Sequence, residues 1–417
     1  MAVPILSLFL LFISIKSSAN NITNTFIDCL NSFSEPTFPI NGTIYTPDNS
    51  SFSSVFHAYI RNPVFYNSTR TKPSLIITPL HVSHIQAAVI CAQLHGLQMR
   101  IRSGGHDYEG LSYLSYSNTP FFILDLFNLR SVDVNIEQET VWVQTGATLG
   151  EVYYGIAEKS NIHGLPGGVC PTVGVGGHCS GAGYGNMLRK YGLTADCIVD
   201  ALLVDVNGAV LDRESMGEDL FWAITGGGGF PVGTPIETLL SRTQQPGRDR
   251  PFKIKSDYLK NPISKKGLKF IFKKMKELPN QMITFSPFGG RMEEISEFAK
   301  PFPHRAGNLA MIEYETYWNQ LGMEAAKKNL EFARKMHEHM TPFVSDNPRE
   351  AFYNYRDLDN GVNHHGKYSY EEGMVYGIRY FKEVNYNRLV MVKTMVDPNN
   401  FFSNEQGIPA LQSLDDM

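Results

Sequence analysis

Apolar residues recur at helical spacing from His81 to His95, at Val82, Ile85, Val89 and Ala92, and Gly96 follows as a stop signal. Residues 98–102 then predict a strand that runs into Ser103-Gly104-Gly105. Further short strands are expected at 121–124 and 141–145, and 149–159 repeats the amphipathic helical pattern. Apolar runs at 198–206 and 209–211 flank Asn207-Gly208, the signature of a hairpin with a tight turn. Mixed strands and helices over 71–212 point to an α+β nucleotide-binding domain.

The second half has a different rhythm. Residues 309–318 alternate as a strand on a hydrophobic layer. Ile312, Tyr314 and Trp318 share one face; Met311, Glu313, Glu315 and Tyr317 share the other. A long helix is expected over 323–340, stopping at Thr341-Pro342. The stretch 229–250 is polar and rich in proline, and predicts a connector.

Length and charge narrow the function. The chain has 417 residues, room for two domains, and a formal charge of -4 from 37 basic and 41 acidic residues. With no basic stripe, nucleic acid is excluded as the expected partner. Residues 3–15 are almost wholly apolar, too short a run to span a bilayer comfortably, and Ser17-Ser18-Ala19 follows with the small residues of a signal cleavage site. Removal of residues 1–19 is therefore expected. Acceptor sequons at Asn21, Asn41, Asn49 and Asn67 agree with a secreted, extracellular product of the cell wall or vacuole without a membrane span. The 5 cysteines leave at least one sulfur outside any disulfide.

Two glycine-rich loops carry the candidate chemistry. The first is Arg102-Ser103-Gly104-Gly105-His106-Asp107-Tyr108-Glu109-Gly110; the second is Cys170-Pro171-Thr172-Val173-Gly174-Val175-Gly176-Gly177-His178. Glycines let successive backbone N–H groups approach a pyrophosphate, although neither loop has the spacing of a Rossmann fingerprint or a P-loop. The histidine pairs His337/His339 and His364/His365 lack the spacing and cysteine company of a metal site, so no metal is expected.

These blocks resemble the berberine bridge enzyme-like oxidases, plant FAD-linked oxidases with a p-cresol methylhydroxylase type of flavin fold. The resemblance implies an α+β protein: a two-subdomain FAD domain over 20–242 with its core at 71–242, an α+β substrate domain over 243–384 that is shortened, and a C-terminal segment, 385–417, returning to the FAD domain. It implies bicovalent FAD, the His106 imidazole on the 8α-methyl and the Cys170 sulfur on C6, which favours hydride acceptance. Ser103, Gly104, Gly105, Thr172, Val173, Gly174, Gly176, Gly177 and Asn400 are the implied cofactor-binding positions, and Val173 is the oxidase-type residue. Cys29 and Cys91 match the family disulfide. Glu313, Tyr355 and Tyr184 match acid–base positions, whereas the alternation by itself makes Glu313 only a polar residue on a solvated strand face. The implied activity is removal of hydride from a small alcohol, carbohydrate or alkaloid, with O2 reduced to hydrogen peroxide, in a protein expected to be a monomer.

The sequence departs from the family after Gly229. There the family continues with Asn-Phe-Gly-Ile and a further block of substrate domain, whereas this chain resumes the pattern near Thr234. Loss of that block is expected to leave a sheet with an unpaired edge and an uncovered apolar face, and the alternative to an oxidase is an inactive flavin-fold glycoprotein. Ala182 stands where the family has glycine, and Cys179 and Cys197 are extra, either paired together or buried as thiols.

Overall fold

The protein is described by a computed structural model that covers residues 22–66, 68, 70–117, 119–168, 170–226, 240, 242, 250–364 and 369–411. The expected leader, Asn21, Asn67, His365 and the point after Gly229 where the family pattern breaks lie outside the described residues. Asn41 and Asn49 are exposed.

A mixed four-stranded sheet forms the first half, in the order β1, β2, β4, β3. Its strands are β1 (Ile44–Tyr45), β2 (Ile76–Ile77), β3 (Gln98–Arg102) and β4 (Phe121–Asp125). Parallel pairing of β4 with both β2 and β3 buries it on two faces, which is why Phe121, Phe122, Ile123 and Leu124 form an unbroken apolar run. The predicted helix spans Val82–His95 and ends at Gly96, whose φ of 64° is the left-handed cap that glycine favours. A Cys29–Cys91 disulfide ties the N-terminal helical segment to this helix, as the family resemblance implied.

Beyond this sheet, β5 (Val132–Asn135) and β6 (Thr140–Val143) make a ribbon that packs on the Leu149–Lys159 helix. The sequence pattern had missed β5 and set β6 late. The expected hairpin exists, but β7 (Leu203–Val204) and β8 (Val210–Leu211) are short, and Val199 and Leu202 are exposed outside any strand.

The second half is an antiparallel sheet in the order β10, β11, β9: β9 (Phe252–Leu259), β10 (Gln281–Pro287) and β11 (Ala310–Tyr317). One face packs through Ile312 and Tyr314 onto the Lys265–Glu277 and Met323–Met340 helices. The other face turns through Met311 toward Tyr184, Leu188 and Tyr355. Among the described residues the outer edge of β10 has no partner strand, and Met282 and Phe285 on it are exposed. That is the unpaired edge expected of a shortened sheet.

The Tyr370–Val396 helix is interrupted at Lys382 and packs around Trp222, Tyr376, Tyr380 and Tyr386. Beyond it, Phe401 and Phe402 lie on the core of the first sheet, and Glu405 pairs with buried Arg100 of β3 at 2.9 Å. The chain's end therefore closes over the first half. No helix among the described residues is long and apolar enough to cross a membrane.

Candidate active site

The two glycine-rich loops meet where β3 ends. The Ser103 hydroxyl donates to the Thr145 carbonyl at 2.6 Å, and the Gly176 N–H reaches the same carbonyl at 3.1 Å. A Cβ on Gly104 would stand 2.3 Å from the Gly174 nitrogen, and one on Gly174 would stand 2.1 Å from the Ser103 hydroxyl. Backbone contact this close admits only glycine on both sides. Gly105 has a φ of 69° and backs onto the Tyr59 carbonyl. The second loop is pinned to the start of the Leu149–Lys159 helix by Leu149 N–H to the Val173 carbonyl and Gly150 N–H to the Pro171 carbonyl, both 2.9 Å. Thr148 and Glu151 cap that helix reciprocally.

This junction brings His106 and Cys170 onto one hydroxyl. The Thr172 Oγ1 lies 2.9 Å from His106 Nε2 and 3.5 Å from Cys170 Sγ. Both nucleophiles are half-buried, and Val173 is buried beside Cys170 in the cluster built on Ala147, Leu149 and Val152. An imidazole and a thiol on one side of a backbone cradle form a donor set that fits a group held by two nucleophiles. Cys179 and Cys197 do not pair; Cys179 is a thiol packed against the same cluster as Val173, while Cys197 is exposed, so the expectation is corrected for pairing and for Cys197. Burial pushes the Cys179 thiol up to about 12, which leaves it inert at neutral pH.

Glu313 sits at the centre of β11, opposite Thr284 of β10 and Ser256 of β9. It is 2% exposed, so the alternative of a solvated strand face is wrong. Alternation failed as a guide because both faces of β11 are covered, one by helices and the other by the loops of the first half. Among the described residues no positive group faces the Glu313 carboxyl, and the Tyr355 hydroxyl is the hydrogen-bonding group beside it. Glu315, on the same face, accepts from Thr284 and from Tyr317, both at 3.0 Å. Burial holds the Glu313 carboxyl well above the usual carboxylate range and the neighbouring Glu315 charge adds to this, while the Tyr355 hydroxyl partly opposes it.

Tyr355 and Tyr184 reach this point from segments far apart in the chain. The Ser256 hydroxyl accepts from the Phe352 N–H at 2.9 Å, and the Tyr355 N–H bonds to the Phe352 carbonyl at 3.0 Å, which anchors the tyrosine beside β9. The Tyr355 and Tyr184 hydroxyls share a short hydrogen bond. Burial raises both phenols, and the Glu313 charge raises them further. Tyr108 stacks on Tyr355 with ring centres 5.6 Å apart. Its place in the first loop, two residues after His106, was the available signal for a residue absent from the acid–base set. Asn354 donates to the Gly177 carbonyl at 2.9 Å, joining the tyrosine loop to the second glycine loop.

Asn400 is not brought to this cluster by any contact. It precedes the phenylalanines on the first sheet, and both polar atoms of its amide are buried without a partner among the described residues. An orphaned amide there, like the Glu313 carboxyl without a counter-charge, fits a group or substrate that the chain itself does not supply. The histidines considered for metal have other partners: His337 lies 3.4 Å from Asp257 and His364 lies 2.8 Å from Glu372.

Comparison with known proteins bears on this geometry. Residues 73–213 match the family described as an FAD binding domain, and residues 351–409 match "Berberine and berberine like". Berberine bridge enzyme-like 8 of Arabidopsis thaliana is 42% identical, covering 97% of this chain and 98% of its own. Tetrahydroberberine oxidase of Berberis wilsoniae is 39% identical, covering 96% of each. The solved structure of Phl p 4, a grass pollen allergen with glucose dehydrogenase activity, superposes with a TM-score of 0.85 at 33% identity, covering 93% of this chain and 100% of that one. The first of these alignments runs over 521 positions against the 417 residues present, so the relative carries a block that this chain lacks. With both family matches falling on the glycine loops and the tyrosine loop that the fold brings together, the chain belongs to the berberine bridge enzyme-like family of FAD-dependent oxidoreductases.

Proposed function

We propose that this chain is a secreted oxidase that carries FAD on two covalent bonds, to His106 and Cys170, and oxidises a small alcohol, carbohydrate or alkaloid with O2 as the final acceptor. The observation that carries this is the convergence of His106 and Cys170 on Thr172, at the loops that also meet the buried Glu313, Tyr355 and Tyr184. Ser103, Gly104, Gly105, Gly174, Gly176 and Gly177 would hold the cofactor through close backbone approach, with Asn400 offering an unpaired amide.

FAD supplies the two-electron acceptor and, once reduced, the reductant for O2. The chain's residues manage the proton. Oxidising an alcohol carbon releases a hydroxyl proton as the hydride departs; the ionised form of Glu313, faced by the Tyr355 hydroxyl, would receive it, so turnover should rise with pH through the raised titration of this carboxyl. Tyr355 and Tyr184 share their own hydrogen bond and orient a polar substrate group beside that carboxylate. Val173, packed next to Cys170, is the position from which a small side chain leaves room for O2.

The decisive experiment is acid precipitation of the purified protein followed by mass spectrometry of its peptides. Colour should remain in the pellet, and the His106 and Cys170 peptides should carry the flavin. The double variant H106A/C170A should release all of it; unmodified peptides in the native protein would overturn the proposal.

A second reading is favoured by the unpaired edge of β10 and by the longer relatives: a flavin-fold glycoprotein without activity. Substrate-dependent peroxide production by protein of this exact length decides between them, since an inactive chain yields none.

A further inference from the structure

The two halves are joined by charges as well as by shape. Glu109, three residues after His106, meets Lys253 of β9; the same ammonium lies 2.7 Å from Asp357, two residues after Tyr355. Lys255 continues the series, 2.5 Å from Asp357 and 2.7 Å from Asp359, and Arg334 closes it at 2.7 Å from Asp359. Acid and base alternate without a break, so the series is neutral as a whole. It is buried at the Glu109 end and reaches solvent only at Asp359 and Arg334. Glu109 also receives the Leu358 N–H at 3.4 Å.

The placement of this series is what gives it a role. Lys253 and Lys255 project from the face of β9 opposite Ser256, which pairs with Glu313. They are therefore not part of the proton-handling cluster. Each end of the Glu109–Lys253–Asp357 bridge instead lies within three residues of a site residue on a loop, and loops have no ladder of backbone bonds to fix them. Two carboxylates around one buried ammonium supply that fixed point, since neither acid can leave without stranding a charge.

We propose that Lys253 is a positioning residue that locks the loop carrying His106 to the loop carrying Tyr355, so that the flavin anchor and the phenol keep one relative placement. This rests on the proposed function for its meaning, but its test does not need turnover. Amide hydrogen exchange should show Lys253→Met speeding both 104–110 and 352–360, by roughly tenfold or more, with the Val82–His95 helix, which has no member of the series, unchanged. Lys253→Arg, which keeps the cation, should restore most of the protection in both loops. Should Lys253→Met fail to fold, Glu109→Gln carries the test: it lies in the first loop, yet protection should fall in 352–360. Unchanged exchange in 352–360, or an arginine variant as disturbed as the methionine one, overturns the proposal. Loss of flavin colour from the native protein is measured separately, and would sink the flavin reading while leaving the exchange result standing.

Discussion

Strands β4 and β11 are both buried, and both contain an acid, yet the two acids live differently. Asp125 at the end of β4 is met by Arg102 of β3, its direct neighbour in the parallel register, at 2.7 Å. The same guanidinium also donates to the Phe56 and Val55 carbonyls. Glu313 in the middle of β11 has no such counter-charge among the described residues, and Glu315 beside it adds charge of the same sign. A buried acid with its counter-charge in register holds strands together. A buried acid without one raises free energy and is retained for something outside the chain. The first half of the molecule spends its buried charge on structure; the second leaves one carboxyl without a counter-charge, as the proposed proton acceptor requires.

The largest effect should come from breaking the satisfied pair. Arg102→Met leaves Asp125 buried and uncompensated, a loss of about 3–5 kcal/mol against a net stability of about 5–15 kcal/mol. Denaturant unfolding should show the midpoint moving down sharply. A shift of a few tenths of a kcal/mol would mean that the pair is not structural.

Glu313→Gln should do the reverse to stability. The folded carboxyl has a raised pKa, so between the unfolded value and the folded one the native state holds a proton that the unfolded chain has lost. Stability therefore falls as pH rises through that window, by up to about 1.4 kcal/mol per pH unit. The glutamine variant lacks this slope, so its advantage in melting temperature should grow from pH 5 to pH 8. Its turnover should drop by roughly 10²–10⁴ if the carboxylate takes the proton. Parallel pH profiles for the two proteins would remove Glu313 from the argument.

The same contrast explains what could be seen in the sequence. Helices at Val82–His95, Leu149–Lys159 and Met323–Met340 and the strand at Gln98–Arg102 were legible because local periodicity and stop residues coincide there. The two glycine loops were legible as unusual blocks, and the roles proposed for His106 and Cys170 came from the family resemblance those blocks carry. The burial of Glu313 was not: alternation reports which residues share a face, and says nothing about what later covers that face. Nor could β5 be found, since its burial comes from pairing with β6 and from packing on the Leu149–Lys159 helix. The charge series through Lys253 was invisible for the same reason, because its members are scattered from Glu109 to Asp359 along the chain.

A smaller effect should follow from treating the open edge of the second sheet. Phe285 is exposed on β10, opposite Ile312 and away from Glu313. Phe285→Lys should reduce light scattering on warming while changing stability by no more than about 0.5 kcal/mol, as expected for a charge on an unprotected edge strand. Unchanged scattering would indicate that this edge is covered in solution.

The smallest effect is expected at Ala182, and it tests how the second glycine loop tolerates a side chain. Ala182 has a φ of 84°, a left-handed conformation that costs a non-glycine residue about 1–2 kcal/mol. Glycine would relieve that strain, but it would lose about 0.8 kcal/mol for a buried methyl and about 0.4–1 kcal/mol to the entropy of the unfolded chain. Ala182 is fully buried among Tyr184, Leu188 and Tyr355, so the methyl contribution applies in full. The opposing contributions nearly cancel, and Ala182→Gly should unfold within about 1 kcal/mol of the native protein. A clear stabilisation would mean that strain dominates at this turn, and a clear loss that the methyl is needed to pack Tyr184 against Tyr355.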